Sequence, residues 1–115
     1  MITRNDNQMK INVLGTEYTV EERNLETDKK LAGADGYSDH TSKECIVDEM
    51  KESNERTLKN IELYKKSVTR HEIIHAFLHE SGLDVCSWAH NEEMVDWLAI
   101  QFPKLYEAFL QADCI

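Results

Sequence analysis

The 115-residue chain reads as an α+β domain, with a sheet in its N-terminal half and helices in its C-terminal half. Three observations predict this. Short alternating apolar runs separated by turn residues fill the stretch up to Asp48, a segment free of Gly and Pro runs from Ser53 to Ser81, and the length is that of one domain, 1–115.

Taken in order, Lys10 to Leu14 and Glu17 to Glu21 alternate around Gly15-Thr16, a two-residue turn candidate, and predict a hairpin. Asn24 to Ala34 is polar and carries Gly33 near its end, as a loop or a short helix does. Asp35-Gly36-Tyr37-Ser38-Asp39 is rich in turn formers, and Glu44 to Asp48 is a third strand. The expected sheet is three-stranded and antiparallel. From Ser53, a suitable N-cap, the spacing predicts one long helix ending at Gly82, where a left-handed cap is expected. Leu58, Ile61, Lys65 and Val68 begin a stripe that continues through Glu72 and His75, and Ile74, Phe77 and Leu78 form an apolar face beside it. Asn91 to Ile100 starts a second helix, with acidic residues in its first turn as the helix dipole favours. Residues 103–115, opening at Pro103 and carrying Leu105, Tyr106, Phe109 and Leu110, read as a closing helix whose apolar face packs on the core or on a second copy. The two together make a C-terminal helical pair.

Composition narrows the function. A formal charge of −9 and a pI near 4.9 argue against a phosphate-binding surface and hence against nucleic acid as a partner. An acidic surface favours basic partners, such as a basic protein loop, and also serves solubility. Cys45, Cys86 and Cys114 are odd in number and lack C-x-x-C spacing, so they predict neither a disulfide framework nor a Cys-based zinc site. Cys45, in an apolar strand, reads as a small core residue. The absence of a basic segment leading an apolar run, and of any apolar stretch near 18 residues, gives the expectation of a soluble, cytoplasmic chain without a membrane partner.

The chemistry lies in His71-Glu72-Ile73-Ile74-His75, which reads H-E-x-x-H on a helix. Residues four apart share a face, so both imidazoles can grip one metal while Glu72 stays free as general base toward a metal-activated water. The competing reading is a charged face with two solvated histidines. A third ligand weighs against it: Glu92 begins the second helix, and Asp96, four residues on, can accept the remaining ring N–H of a ligand His. Glu93 is the other acidic choice, but its four-apart partner is Trp97, which accepts no hydrogen bond from imidazole. His79 continues the four-residue series, yet eight residues of helix rise about 12 Å, too far for His71 and His79 to share an ion. It reads as a helix-end cation or a rim residue. His90 is a candidate oxyanion donor before the second helix, against a capping or solvated His. Tyr37 and Tyr64 are weaker candidates for the same role, against packing residues with wet hydroxyls.

His71-Glu72-x-x-His75 with Asn91-Glu92-x-x-x-Asp96 resembles the gluzincin branch of zinc metallopeptidases. The short length and the stretch from Asp35 to Asp48 make the chain more similar to the compact phage-associated metallopeptidase domains of the ImmA/IrrE type, from whose Ala-rich second helix Val95 and Trp97 depart. The resemblance covers about Ser53 to Phe102. It implies a zincin-like minimal domain holding Zn²⁺ with His71, His75 and Glu92, with Glu72 as general base and Asp96 supporting a ligand His. It also implies peptide-bond hydrolysis in a protein or peptide substrate, held by strand addition along the strand before the metal helix, here Glu44 to Asp48. The alternative is a non-catalytic interaction module on the same scaffold, its metal structural or lost. A fourth metal position open to water favours catalysis, and closure by a residue such as His90 favours the module.

Overall fold

The computed structural model describes residues 8–50, 59–85, 87–89 and 91–115. Two strands, β1 (Gln8–Val13) and β2 (Thr16–Arg23), form the expected hairpin. Its turn lies one residue earlier than the sequence suggests. Val13 pairs with Thr16, leaving Leu14 and Gly15 at the tip with φ of 52° and 94°. Positive φ at both central positions is the type I′ turn that suits a two-residue hairpin, and the Asn12 side chain secures it by accepting from the Gly15 N–H at 2.7 Å. Leu14, apolar but 60% exposed, therefore belongs to the turn rather than the strand.

After a short 3-10 turn at Lys29–Leu31, the chain forms β3 (Gly36–Asp39) and β4 (Glu44–Asp48). The sheet order is β1-β2-β4-β3, with β4 parallel to β2 and antiparallel to β3. The expectation of three antiparallel strands is thus corrected to four strands in a mixed sheet; the α+β class stands. The turn-like composition at 35–39 concealed β3. Gly36 is there for close approach, since a Cβ at that position would sit 2.7 Å from the Ile46 carbonyl oxygen and 3.1 Å from Val68 Cγ1. The expectation that Glu44 to Asp48 is an edge also fails. β3 inserts at the outside, so β4 is flanked on both sides and the edge nearest the helices is β3.

One helix, α1 (Ile61–Glu80), crosses the sheet. It starts at an Asn60 cap whose side chain accepts from the Leu63 N–H, so it is shorter than a helix begun at Ser53; Ser53 and Leu58 lie outside the described residues. Its end is as expected. Gly82 has φ 81°, its N–H bonds to the His79 carbonyl, and the Leu83 N–H reaches back to Leu78, the paired bonds of a Schellman cap. Alternation in the strands turns Tyr18, Val20 and Cys45 toward the helix, where they form the core with Val13 and Ala76, and Ile73 packs against it. The buried face of α1 thus runs through Glu72 and Ala76, whereas Phe77 is exposed. On the opposite face of the sheet, Arg23 bridges Glu21, Asp28 and Glu44 at 2.8, 3.0 and 2.7 Å.

Glu80 fastens the far end of α1. A carboxylate at a helix C-terminus opposes the helix dipole, and here it is held by Thr16, Tyr18 and Lys43 at 3.1, 2.7 and 2.9 Å. The Lys43 hydrogen bond first, then that of Tyr18, lowers its pKa to about 2.

The C-terminal helical pair is one helix, α2 (Glu92–Gln111), which runs straight through Pro103. Proline has no N–H, so the carbonyl of Ala99, four residues earlier and fully buried, loses its helical partner. Arg70 Nε of α1 donates to that carbonyl at 2.6 Å. A bond from the neighbouring helix replaces the missing one, and the helix continues. Among the described residues, no helix is long and apolar enough to cross a membrane.

Two predictions follow from these anchors. Arg70→Met should destabilise the fold by about 1–3 kcal/mol, the usual cost of a buried group left without its partner, and by less in a Pro103→Ala background, where the helix supplies its own donor; a double-mutant cycle in urea measures the coupling. Glu80, with its pKa depressed on folding, contributes stability that is fully present above its unfolded value of about 4.3 and is lost as pH falls toward about 2. The urea midpoint of the wild type should therefore fall more steeply from pH 5 to pH 2 than that of Glu80→Gln.

Candidate metal centre

Successive helix residues are turned by about 100°, and α1 uses that turn to divide H-E-x-x-H between two environments. Glu72 and Ala76 face the sheet and are buried, while His71 and His75 look toward α2 and stay partly open. The loop after the Schellman cap reverses the chain, and the Asn91 side chain caps α2 by accepting from the Met94 N–H at 3.1 Å. The two helices run antiparallel, with Glu92 opposite both histidines and Ala99 opposite Arg70.

The result is a compact donor set. His71 Nε2 and His75 Nε2 are 3.2 Å apart, and the Glu92 carboxylate oxygens lie 2.9 Å from the first and 2.7 Å from the second. One ligand atom from each residue falls within 4.8 Å of the others. A tetrahedron with bonds of about 2.0–2.1 Å has edges of about 3.3–3.4 Å, so a small outward shift of three side chains would seat an ion. The partner of the other ring nitrogen points the same way. Asp96 Oδ1 lies 3.3 Å from His71 Nδ1, placed to accept a proton carried there; with the proton on Nδ1, the His71 Nε2 lone pair faces a carboxylate oxygen. Two acceptors at that distance need a cation or a proton between them. The residues present fit a divalent metal.

No family model, curated protein or solved structure matches the chain. The reading of the site therefore rests on its own geometry.

Glu72 is 7% exposed beside this cluster. Burial pushes its pKa up to about 7, against the pull of His71 and with a smaller push from Glu92. A carboxyl so placed can take up and release a proton near neutral pH. Its position is fixed from two sides: Gly36 leaves room for its Cγ, which a Cβ there would meet at 3.4 Å, and the Cys45 thiol donates to the Glu72 backbone carbonyl at 3.5 Å.

The cluster opens on a cleft of about 420 Å³ floored by Gly36, Tyr37 and Ser38 of β3. Its other wall is His40, His79 and Asp84. His79 Nδ1 is 2.6 Å from Asp84, and its ring stacks on His40 at 4.2 Å. His79 is thus a rim residue, as its helix position suggested. His40 and Asp84 were not singled out from sequence; only their closeness to Gly36 and to the Gly82 cap could have hinted at them. Glu93 lies away from the cluster, beside Met94 and Trp97. The Tyr37 hydroxyl donates to Asp28 and that of Tyr64 to Asp35, so each is held by a carboxylate rather than wet. His90 lies outside the described residues.

The geometry separates the two acidic neighbours experimentally. Glu92→Ala should lose zinc binding and Glu93→Ala should keep it, while Asp96→Asn should weaken binding by roughly 10–100-fold through the His71 tautomer. Competitive zinc titration of the three variants gives the answer. Loss of metal in Glu93→Ala with retention in Glu92→Ala would overturn the ligand assignment.

Proposed function

We propose that the chain is a zinc-dependent peptide hydrolase of the gluzincin type. The observation that carries this reading is the meeting of His71, His75 and Glu92 around one point, with the buried Glu72 carboxylate at its side. Binding alone would need only the three ligands. A fourth group, a buried carboxyl next to them whose pKa burial pushes up to about 7, is what hydrolysis requires.

A zinc ion, when bound, acidifies a water and polarises a carbonyl. The protein supplies the rest. His71 and His75, whose Nε2 atoms face Glu92, would hold the ion with that carboxylate, and Asp96 beside His71 Nδ1 would keep the ring in the tautomer that leaves Nε2 unprotonated. The Glu72 carboxylate takes the proton of the attacking water and delivers it to the departing amine nitrogen. An extended peptide is accommodated along β3, a sheet edge whose Gly36, Tyr37 and Ser38 line the cleft, so that strand addition holds the substrate beside the cluster. This moves the substrate-binding edge from Glu44 to Asp48, where the sequence placed it, to Gly36–Asp39.

The test separates ligand from base. Glu72→Gln should hold zinc at near the wild-type level, because the amide keeps the shape of the carboxylate, and should lower hydrolysis of a peptide library by about 10²–10⁴-fold, since an amide does not accept a proton at neutral pH. Zinc content by elemental analysis and cleavage by mass spectrometry are the two readouts. Equal cleavage by both proteins would place the activity elsewhere.

A further inference from the structure

A second hollow, of about 280 Å³, adjoins the metal cluster. It shares Gly36, His71 and Glu72 with the cleft beside β3, so the two meet at the cluster itself. Along α1 the cleft extends toward His79 and the hollow toward Tyr64. A peptide lying along β3 with its reacting bond at the cluster therefore brings a neighbouring side chain to the mouth of the hollow. The lining has two chemistries. Val68 of α1 and Ile100 of α2, which is 51% exposed, offer apolar wall, whereas Asp35, Asp96 and Glu72 offer carboxyl groups. Glu72 is buried, and its side chain has no hydrogen-bond partner among the described residues. Among those residues, no Lys or Arg lines the hollow.

This combination selects one kind of side chain. Lys and Arg lay their methylene stems on apolar surface while the charged head stays with polar partners. An acidic side chain would meet like charge here, and an aliphatic one would strip water from the carboxylates and replace it with nothing. Walls of low dielectric lined by one sign of charge also focus the field on an incoming cation. Asp35 is the fixed point. Its backbone carbonyl accepts from the Asp48 N–H at 2.8 Å, and its carboxylate accepts from the Tyr64 hydroxyl, so little freedom remains to be lost on binding. Asp96 is engaged with His71 and Glu72 stands at the cluster, so these two add negative field and leave the direct bond to Asp35.

We propose that this hollow is a subsite for a lysine or arginine side chain next to the scissile bond, its stem against Val68 and Ile100 and its cation on Asp35. The place beside a scissile bond rests on the hydrolase reading; recognition of the cation rests on the hollow alone. The formal charge of −9 works in the same direction by drawing basic segments toward the chain.

Digestion of a peptide library, read by mass spectrometry, locates the cleaved bonds, and one substrate remade with Arg, Leu or Glu beside its cleaved bond gives the rates. The zinc-loaded wild type should cleave the Arg form with the highest kcat/KM. Asp35→Asn should lower that value by about 10–100-fold, the worth of a hydrogen bond to a charged group, and so remove the advantage over the Leu form. Asp35→Arg should reverse the order of the Arg and Glu forms. Glu17→Gln, which removes one carboxylate at an exposed site of β2, should leave the order as it is. A second readout needs neither metal nor turnover: in the zinc-free chain, Nα-acetylargininamide should shift the amide resonances of Asp35 and Ile100, and Nα-acetylleucinamide should not. Cleavage with no preference for Arg or Lys over Leu, or a preference that persists in Asp35→Asn with unchanged circular dichroism, overturns the subsite and leaves the hydrolase reading standing. Absence of zinc-dependent cleavage by the wild type overturns the hydrolase reading instead, and the titration then decides the hollow by itself. Equal response to the two amides overturns it.

Discussion

Gly36 has no side chain where α1 passes over β3, and the placement of His71, Glu72 and His75 depends on that gap. A methyl group there would meet the Ile46 carbonyl, Val68 and Glu72 together, and the helix would have to lift from the sheet. With the gap available, α1 lies close enough for Cys45 to bond the Glu72 carbonyl and for Glu80 to reach three donors on the strands and the β3–β4 turn. The helix is pinned along its length. Its rotation about its own axis is therefore set, and with it the division of His71 and His75 from Glu72.

The second helix is placed by a different kind of constraint. Pro103 frees a buried carbonyl and Arg70 occupies it, which fixes how far α2 slides along α1. That contact lies about two helical turns from Glu92, since each turn takes 3.6 residues. A longitudinal error of one residue would carry the carboxylate about 1.5 Å along the axis, enough to take it out of reach of one imidazole. An interaction whose evident task is to satisfy the backbone thus also sets where Glu92 meets His71 and His75.

Charge is handled in opposite ways on the two sides of the sheet. On the outer face, Arg23 gathers Glu21, Asp28 and Glu44, one fixed cation bonded to three carboxylates. At the cleft, Glu92 and Asp96 pair only with imidazoles among the described residues, whose charge depends on protonation. A proton or a metal ion between Glu92 and the two imidazoles would offset that charge.

By itself the sequence determined what local rules encode: the α+β class, the β1–β2 hairpin, the Gly82 cap, and the H-E-x-x-H face with Glu92 and Asp96 four residues apart on a second helix. Periodicity and capping act over a few residues, so they are visible without a fold. It misplaced what depends on partners far away in the chain. The turn composition of 35–39 concealed a strand because Gly36 answers to Ile46, Val68 and Glu72, and no local pattern records that approach. Pro103 read as a helix start because its rescuer, Arg70, is 33 residues earlier. Strand order, the identity of the edge, the burial of Glu72 and the His40–His79–Asp84 wall were all decided by tertiary structure, since each arises only when separate elements exclude water from one another.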